Sequence, residues 1–287
     1  MRVRRSVQNR KCAMDKTTRR FFALVATLLM MLTSLSPALA DPPLPPSTLT
    51  ADPDRQVINV PILMYHRIWS VKPGASRMMV EMSVSPAMFG AQMKYLSDGG
   101  YHTITMAQLA EHLQARHDGG YVPPLPTKPI VITFDDGYKT QYYNALPVLR
   151  QYGFKATFYI IASAPGTADY MTWDMIKELD AGGMDIESHT WSHKLLTIQS
   201  DATLTRELVG AKNELEKRLG HPVKGFCYPY GGYNARVIKA VAAAGYTNAT
   251  IVGGGRYESY AKRLVMPRVS VYGDFGFPYF ARNVSYP

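Results

Sequence analysis

The chain has almost no cysteine: only Cys12 and Cys227 occur in 287 residues. Cys12 lies in a basic N-terminal stretch, so one cysteine remains for the body, and one cysteine excludes an internal disulfide. An uninterrupted apolar run long enough to cross a bilayer is also missing. The longest, Phe21 to Leu35, spans about 15 residues, where a spanning helix needs roughly 20. Basic runs are missing from the body as well. Of the net charge of +10, residues 1–40 hold +7, with Arg2, Arg4, Arg5, Arg10, Lys11, Lys16, Arg19 and Arg20 against Asp15. The weakly basic remainder leaves no electrostatic footprint for nucleic acid. Gly253-Gly254-Gly255 lacks the lysine and strand-loop-helix context of a phosphate loop and reads as a turn. No internal repeat is visible.

What is present begins with an export pattern. The basic stretch, the apolar run and Ala38-Leu39-Ala40 have the layout of a cleavable signal, so residues 1–40 are expected to direct the chain to the periplasm or the extracellular space. Thr18-Arg19-Arg20-Phe21-Phe22 fits a twin-arginine signal, and Met14 is an alternative start. No stable membrane span is expected once the signal is cleaved. Residues 41–56, with Pro42, Pro43, Pro45, Pro46 and Pro53, read as an extended linker. At 46% apolar and 19% charged residues, the rest is an ordinary globular chain, expected to fold as one domain over residues 57–287.

Within that domain short β-rich runs alternate with helical stretches. Strands are expected at 57–65, 103–104, 129–134, 156–161, 184–188, 225–228 and 249–252. Helices are expected at 86–99, 105–115, 144–152, 173–181, 202–219 and 235–244. The longest, 202–219, carries Leu204, Leu208, Ala211, Leu215 and Leu219 on one face. This alternation predicts an α/β fold, a parallel sheet curled into a closed or nearly closed, distorted β/α barrel.

The polar residues at strand ends carry the chemistry. Asp135-Asp136, His189 and His66 all follow predicted strands, and the C-terminal ends of strands are where active sites form in α/β barrels. Adjacent carboxylates after an apolar strand require a cation or a shared proton. His189 and His193, at i and i+4, face one way on a helical turn. With a carboxylate they form the open three-ligand site of a catalytic zinc or a related divalent ion. One of the two aspartates is then a ligand and the other is free to act as a general base.

Thr133-Phe134-Asp135-Asp136-Gly137 and His189-Thr190-Trp191-Ser192-His193, in this order and separation, resemble the first two motifs of the NodB-like polysaccharide deacetylases, carbohydrate esterase family four. The likeness covers most of residues 57–270. It implies metal-dependent removal of N-acetyl groups from an amino-sugar polymer, with acetate released. It makes Asp135 the catalytic base, Asp136, His189 and His193 the ligands of one divalent ion (Zn2+ first, with Co2+ or Ni2+ suitable), and the Tyr230 N–H an oxyanion donor. Two positions depart from the family pattern. Cys227 stands where an arginine is usual, and Leu264-Val265-Met266-Pro267-Arg268 has no histidine where one is usual. Both departures resemble the poly-N-acetylglucosamine deacetylase subgroup, whose acid is an N-terminal histidine; Pro61-Ile62-Leu63-Met64-Tyr65-His66 matches that motif and implies His66 as general acid. Tyr230, Trp191 and Arg268 are the expected substrate-side residues. Arg268 is also expected beside Asp135, in place of the missing arginine. Tyr138 and Tyr228 are further stacking candidates, and His102, His112, His117 and His221 are expected at the surface. A carbohydrate-binding module with little activity and a hydrolase of O-acetyl esters or small amides are the alternative readings.

Overall fold

The computed structural model describes residues 56–286; the expected signal and all of the expected linker except Gln56 lie outside them. Eight strands form the main sheet: β1 Ile62–Tyr65, β2 His102–Ile104, β3 Pro129–Phe134, β4 Thr157–Ile160, β5 Asp185–Ser188, β6 Gly225–Cys227, β7 Asn248–Gly254 and β8 Met266–Ser270. Their order is β1-β8-β7-β6-β5-β4-β3, all parallel, and β1 pairs back onto β3 from Ile62↔Val131 to Tyr65↔Phe134. The ring is therefore a closed seven-stranded barrel. The short β2 is a wedge: it pairs with the first residues of β3 (Ile104↔Val131), and β4 takes the same edge further on (Phe134↔Phe158).

Both faces of this sheet are buried, which is why Ile130 to Phe134 reads as an unbroken apolar run. Val60, Ile62, Val131, Tyr159, Cys227 and Met266 cluster inside the barrel. Leu63, Tyr65, Ile132, Phe134, Phe158 and Phe226 alternate outward and pack under the helices. Phe134 stacks on Phe158 at 4.9 Å and on Tyr65 at 5.6 Å between ring centres, contacts worth about 1 kcal/mol each beyond area burial.

The α-helices of six or more residues are α1 Pro86–Asp98, α2 Met106–Asp118, α3 Leu146–Gln151, α4 Trp173–Ala181, α5 Ala211–Leu219, α6 Ala235–Ala243 and α7 Phe277–Val284. Local chemistry fixes many of their starts. Ser85, Thr105, Thr172 and Asn234 each accept a first-turn N–H, and Thr105 forms a full capping box with Gln108.

Several expectations are corrected. The run at 57–65 is two strands broken before Pro61, because Ile58–Asn59 leaves the barrel to pair antiparallel with Tyr257–Glu258. The expected helix 202–219 is interrupted by a π-helical turn, Arg206–Gly210, between a short helix Asp201–Thr205 and α5. β7 continues through Gly253 and Gly254, where a turn was expected. His112 is buried rather than exposed, its Nδ1 2.9 Å from the Pro123 carbonyl oxygen. Strand β8 and helix α7 were not anticipated. Pro267 within β8 is the cause of the first omission, since proline is confined to special places in sheets. Here it falls at a register shift between β7 and β8, before β8 begins pairing with β1. No helix among the described residues is long and apolar enough to cross a membrane.

Candidate active site

The strand-end residues converge at the C-terminal mouth of the barrel. Asp135 and Asp136 follow β3, His189 follows β5, and Asp136 Oδ1 lies 3.4 Å from His189 Nε2 and 3.5 Å from His193 Nε2. The three donor atoms all lie within 4.8 Å of one another. Ligands about 2.1 Å from one ion at tetrahedral angles stand about 3.4 Å apart, so the donor set fits a zinc-like ion. His189 Nδ1 donates to the Cys227 carbonyl at 2.8 Å. A carbonyl can only accept, so this bond fixes a proton on Nδ1 and turns Nε2 toward Asp136, the orienting role that outer partners play at metal sites. Burial lowers the His189 pKa, but Cys227 and the Asp136 carboxylate outweigh it and raise it well above the ordinary value, so a bound ion would take the place of the Nε2 proton. Burial first, and then His189, pushes the His193 imidazole down to about 4, so it is neutral, as a ligand must be.

A second trio, Asp135, His189 and Cys227, is equally compact. It does not fit a cation. Arg268 grips Asp135 at both oxygens, 2.7 Å each, and lies 3.2 Å from Cys227 Sγ, so an ion there would face a guanidinium.

The loop that carries the ligands is not helical, which corrects the expected i, i+4 geometry. Thr190 and His193 have φ of 67° and 57°, and Asp136 and Tyr230 have 75° and 59°. Among the described residues only one other non-glycine, Lys128, has positive φ. Such conformations cost about 1–3 kcal/mol each and persist where surroundings hold them. Thr190 Oγ1 accepts the His193 N–H at 2.9 Å. Gly231 is required behind Tyr230: its φ is +66°, and a Cβ there would sit 2.9 Å from the Val252 side chain.

Asp135 is 2% exposed and Arg268 1%. Burial raises the Asp135 pKa, but the Arg268 charge and its hydrogen bonds, with His189 and His66, reverse that and hold the carboxyl well below its usual range. Arg268 thus stands beside Asp135, as expected, and being buried it offers nothing to a substrate. The expectation that it lines the groove is corrected. The β7–β8 register shift aims it inward, with Nε bonded to Ile251 O. His66 Nε2 lies 3.8 Å from Asp135 Oδ2. Burial lowers the His66 pKa, while Asp135 and Asp136 oppose that shift.

Gln141 was not anticipated. Fully buried in a π-helical turn before α3, its amide donates to the His66 carbonyl at 2.9 Å and the Asp135 carbonyl at 2.6 Å, tying two strand ends together. Nothing in the local pattern marks it. Tyr230 is 68% exposed, its ring 4.7 Å from that of His193, and Trp191 is partly buried beneath Arg206. Tyr228 is fully buried and cannot stack on a ligand. Tyr138 stacks on Tyr170 and lies under the Arg67 guanidinium at 3.6 Å. A cavity of about 540 Å³ opens at the other end of the barrel, lined by Asp185, Glu187 and Asn248 among others, away from all of these groups.

Comparison with known proteins agrees with this geometry. A family model described as polysaccharide deacetylase matches residues 123–249. Poly-β-1,6-N-acetyl-D-glucosamine N-deacetylase of Staphylococcus aureus is 30% identical over 185 residues, 60% of this chain and 61% of that protein. The chain therefore spans about six-tenths of the length of that curated relative. Deacetylase PplD of Streptococcus pyogenes, solved with acetate, is 26% identical with a TM-score of 0.72, over 80% of this chain and all of that one. BC0361, a polysaccharide deacetylase from Bacillus cereus, is 30% identical with a TM-score of 0.68, over 80% of this chain and 70% of that one. Relatedness over the whole barrel and the paired aspartate and histidine motifs at its mouth place the chain in the polysaccharide deacetylase family.

Proposed function

We propose that the protein is a metal-dependent N-deacetylase of an N-acetylglucosamine-containing polysaccharide. The observation that carries this reading is the division of labour between adjacent aspartates: Asp136 faces two imidazoles, while Asp135 faces one guanidinium. Asp136, His189 and His193 hold one divalent ion, Zn2+ first among those the donor set suits. When bound, such an ion lowers the pKa of water to about 7 and polarises the acetyl carbonyl.

Asp135 takes the proton of the attacking water. Its low pKa keeps it ionised, and the Arg268 fork fixes both oxygens. A base so weak functions only against an acidified water. The N–H of Tyr230 faces the developing oxyanion, a contact worth about 3 kcal/mol in comparable sites. His66, across from Asp135, gives its proton to the departing amine, which leaves as a free amino sugar while the acetyl group leaves as acetate. Tyr230 and Trp191 are the groove residues that meet the sugar rings.

The Staphylococcus aureus relative is named for poly-β-1,6-N-acetylglucosamine, which favours that polymer over peptidoglycan or chitin oligomers. The basic stretch, apolar run and Ala38-Leu39-Ala40 support action outside the cytoplasmic membrane, where such polymers occur. Acetate release from β-1,6-linked N-acetylglucosamine oligomers, compared with acetylated xylan, before and after chelation, tests the reading. Chelator-sensitive release from the amide substrate is expected. Release from xylan alone makes it an ester hydrolase, and glycan binding without release makes it a binding module.

A further inference from the structure

The chain at 201–219 has the apolar spacing of one continuous helix, yet it inserts the π turn Arg206–Gly210 behind the His189–His193 loop. A π turn interrupts the helical hydrogen-bond ladder, frees carbonyls for other partners and recurs at functional sites. Here those carbonyls go to the loop and its strand. The Trp191 N–H donates to Glu207 O at 3.0 Å. The Tyr246 hydroxyl sits 3.0 Å from Leu208 O and 2.8 Å from Oγ of Ser188, the residue before His189.

The side chain of Glu207 completes the grip. It is fully buried, at the flank of the helix's apolar face, and Leu208 beside it is buried too. Its Oε2 accepts the Ser192 N–H at 2.8 Å and its Oε1 accepts the Ser192 hydroxyl at 2.6 Å. The nearest cation, Lys194 Nζ, is 3.9 Å away and half exposed. A buried carboxylate is costly without strong partners, and this one commits both oxygens to the residue next to His193. That loop needs an external hold, because Thr190 and His193 both sit in the left-handed region.

We propose that Glu207 is a positioning residue: bonded to Ser192, it holds the backbone at His193 in the strained conformation that lets this imidazole share an ion with Asp136 and His189. The inference rests on the metal-site reading above. Co2+ affinity, measured by competition with a chromophoric chelator, and the visible spectrum of bound Co2+ test it. Glu207→Ala is expected to weaken Co2+ binding about 10- to 100-fold, the range for loss of an outer-shell partner, and to change the spectrum. Glu207→Gln is expected to restore most of the affinity, since its amide oxygen accepts the Ser192 N–H and its NH2 donates to Ser192 Oγ. A folded Glu207→Ala protein with wild-type affinity and spectrum overturns the inference. If that variant does not fold, Ser192→Ala decides, because it removes the hydroxyl contact and leaves the buried acid in place: weakened Co2+ binding supports the role and unchanged binding refutes it. Wild-type protein that binds no Co2+ overturns the metal-site reading, and this inference with it.

Discussion

The barrel carries a pair of acids at each end, buried except for the half-buried Asp185, and the two pairs are in opposite electrical states. At the C-terminal mouth, Asp135 and Asp136 are held below their ordinary pKa values because Arg268 and the imidazoles outweigh burial. At the N-terminal end, Asp185 and Glu187 are raised by burial, with no comparable cation against them. Asp185 accepts from Thr157 and from the first turn of α2, and Glu187 accepts the Gly225 N–H. These are structural bonds inside a core. A cavity of about 540 Å³ lies at this end, yet its carboxyls are pushed toward the neutral form. Partner charge separates an acid that can serve as a base from one that serves as a brace.

Four changes break or sharpen that contrast. Asp135→Asn should lower the deacetylation rate on the order of 10² to 10⁴-fold, the range for a positioned general base, with metal affinity intact; an unchanged rate refutes the assignment. His66→Ala should lower the rate about 10²-fold and spare metal binding, and metal loss would make His66 a ligand or a structural residue. Arg268→Met makes the upper pair resemble the lower one. Without the guanidinium, burial raises the Asp135 pKa, and activity requires the ionised form. The rate should drop about tenfold near neutrality and more steeply as pH falls, since each pKa unit is a factor of ten in ionised base. A pH profile with no shifted acid limb would show that Arg268 does not set this charge. Glu187→Gln should change the rate far less than the three changes above, because its carboxyl is committed to the Gly225 N–H and to none of Asp135, Asp136, His189 and His193. Its effect is on stability. The native chain retains a proton on Glu187 that the unfolded chain releases above 4.5, so wild-type stability falls as pH rises through that window. The glutamine variant should show a flatter melting temperature from pH 5 to pH 8.

Much of this molecule is legible in local sequence because its causes are local. Helices α1, α4 and α6 begin at 86, 173 and 235, where the sequence places them, because Ser85, Thr172 and Asn234 cap them through neighbouring atoms only. The motif residues after β3 and β5 were legible because burial on both faces leaves few positions for charge. The loop from His189 to His193 was misread as helical, since the i, i+4 spacing gives no sign of the positive φ at Thr190 and His193. Glu207 and Gln141 were illegible: each lies in a π turn, and their partners are 15 residues or more away apart from the Asp135 carbonyl.

By itself the sequence determined the alternation of strand and helix, where several helices begin, and the presence of paired carboxylates and imidazoles at strand ends, because these follow from periodicity and short-range hydrogen bonding. Only the tertiary structure decided which groups each aspartate faces. Closure of β1 onto β3 brings His66 to Asp135, and the register shift before β8 turns Arg268 onto the same carboxylate from 133 residues away. Adjacent side chains of one chemical type acquire different partners only from the groups that folding places around them.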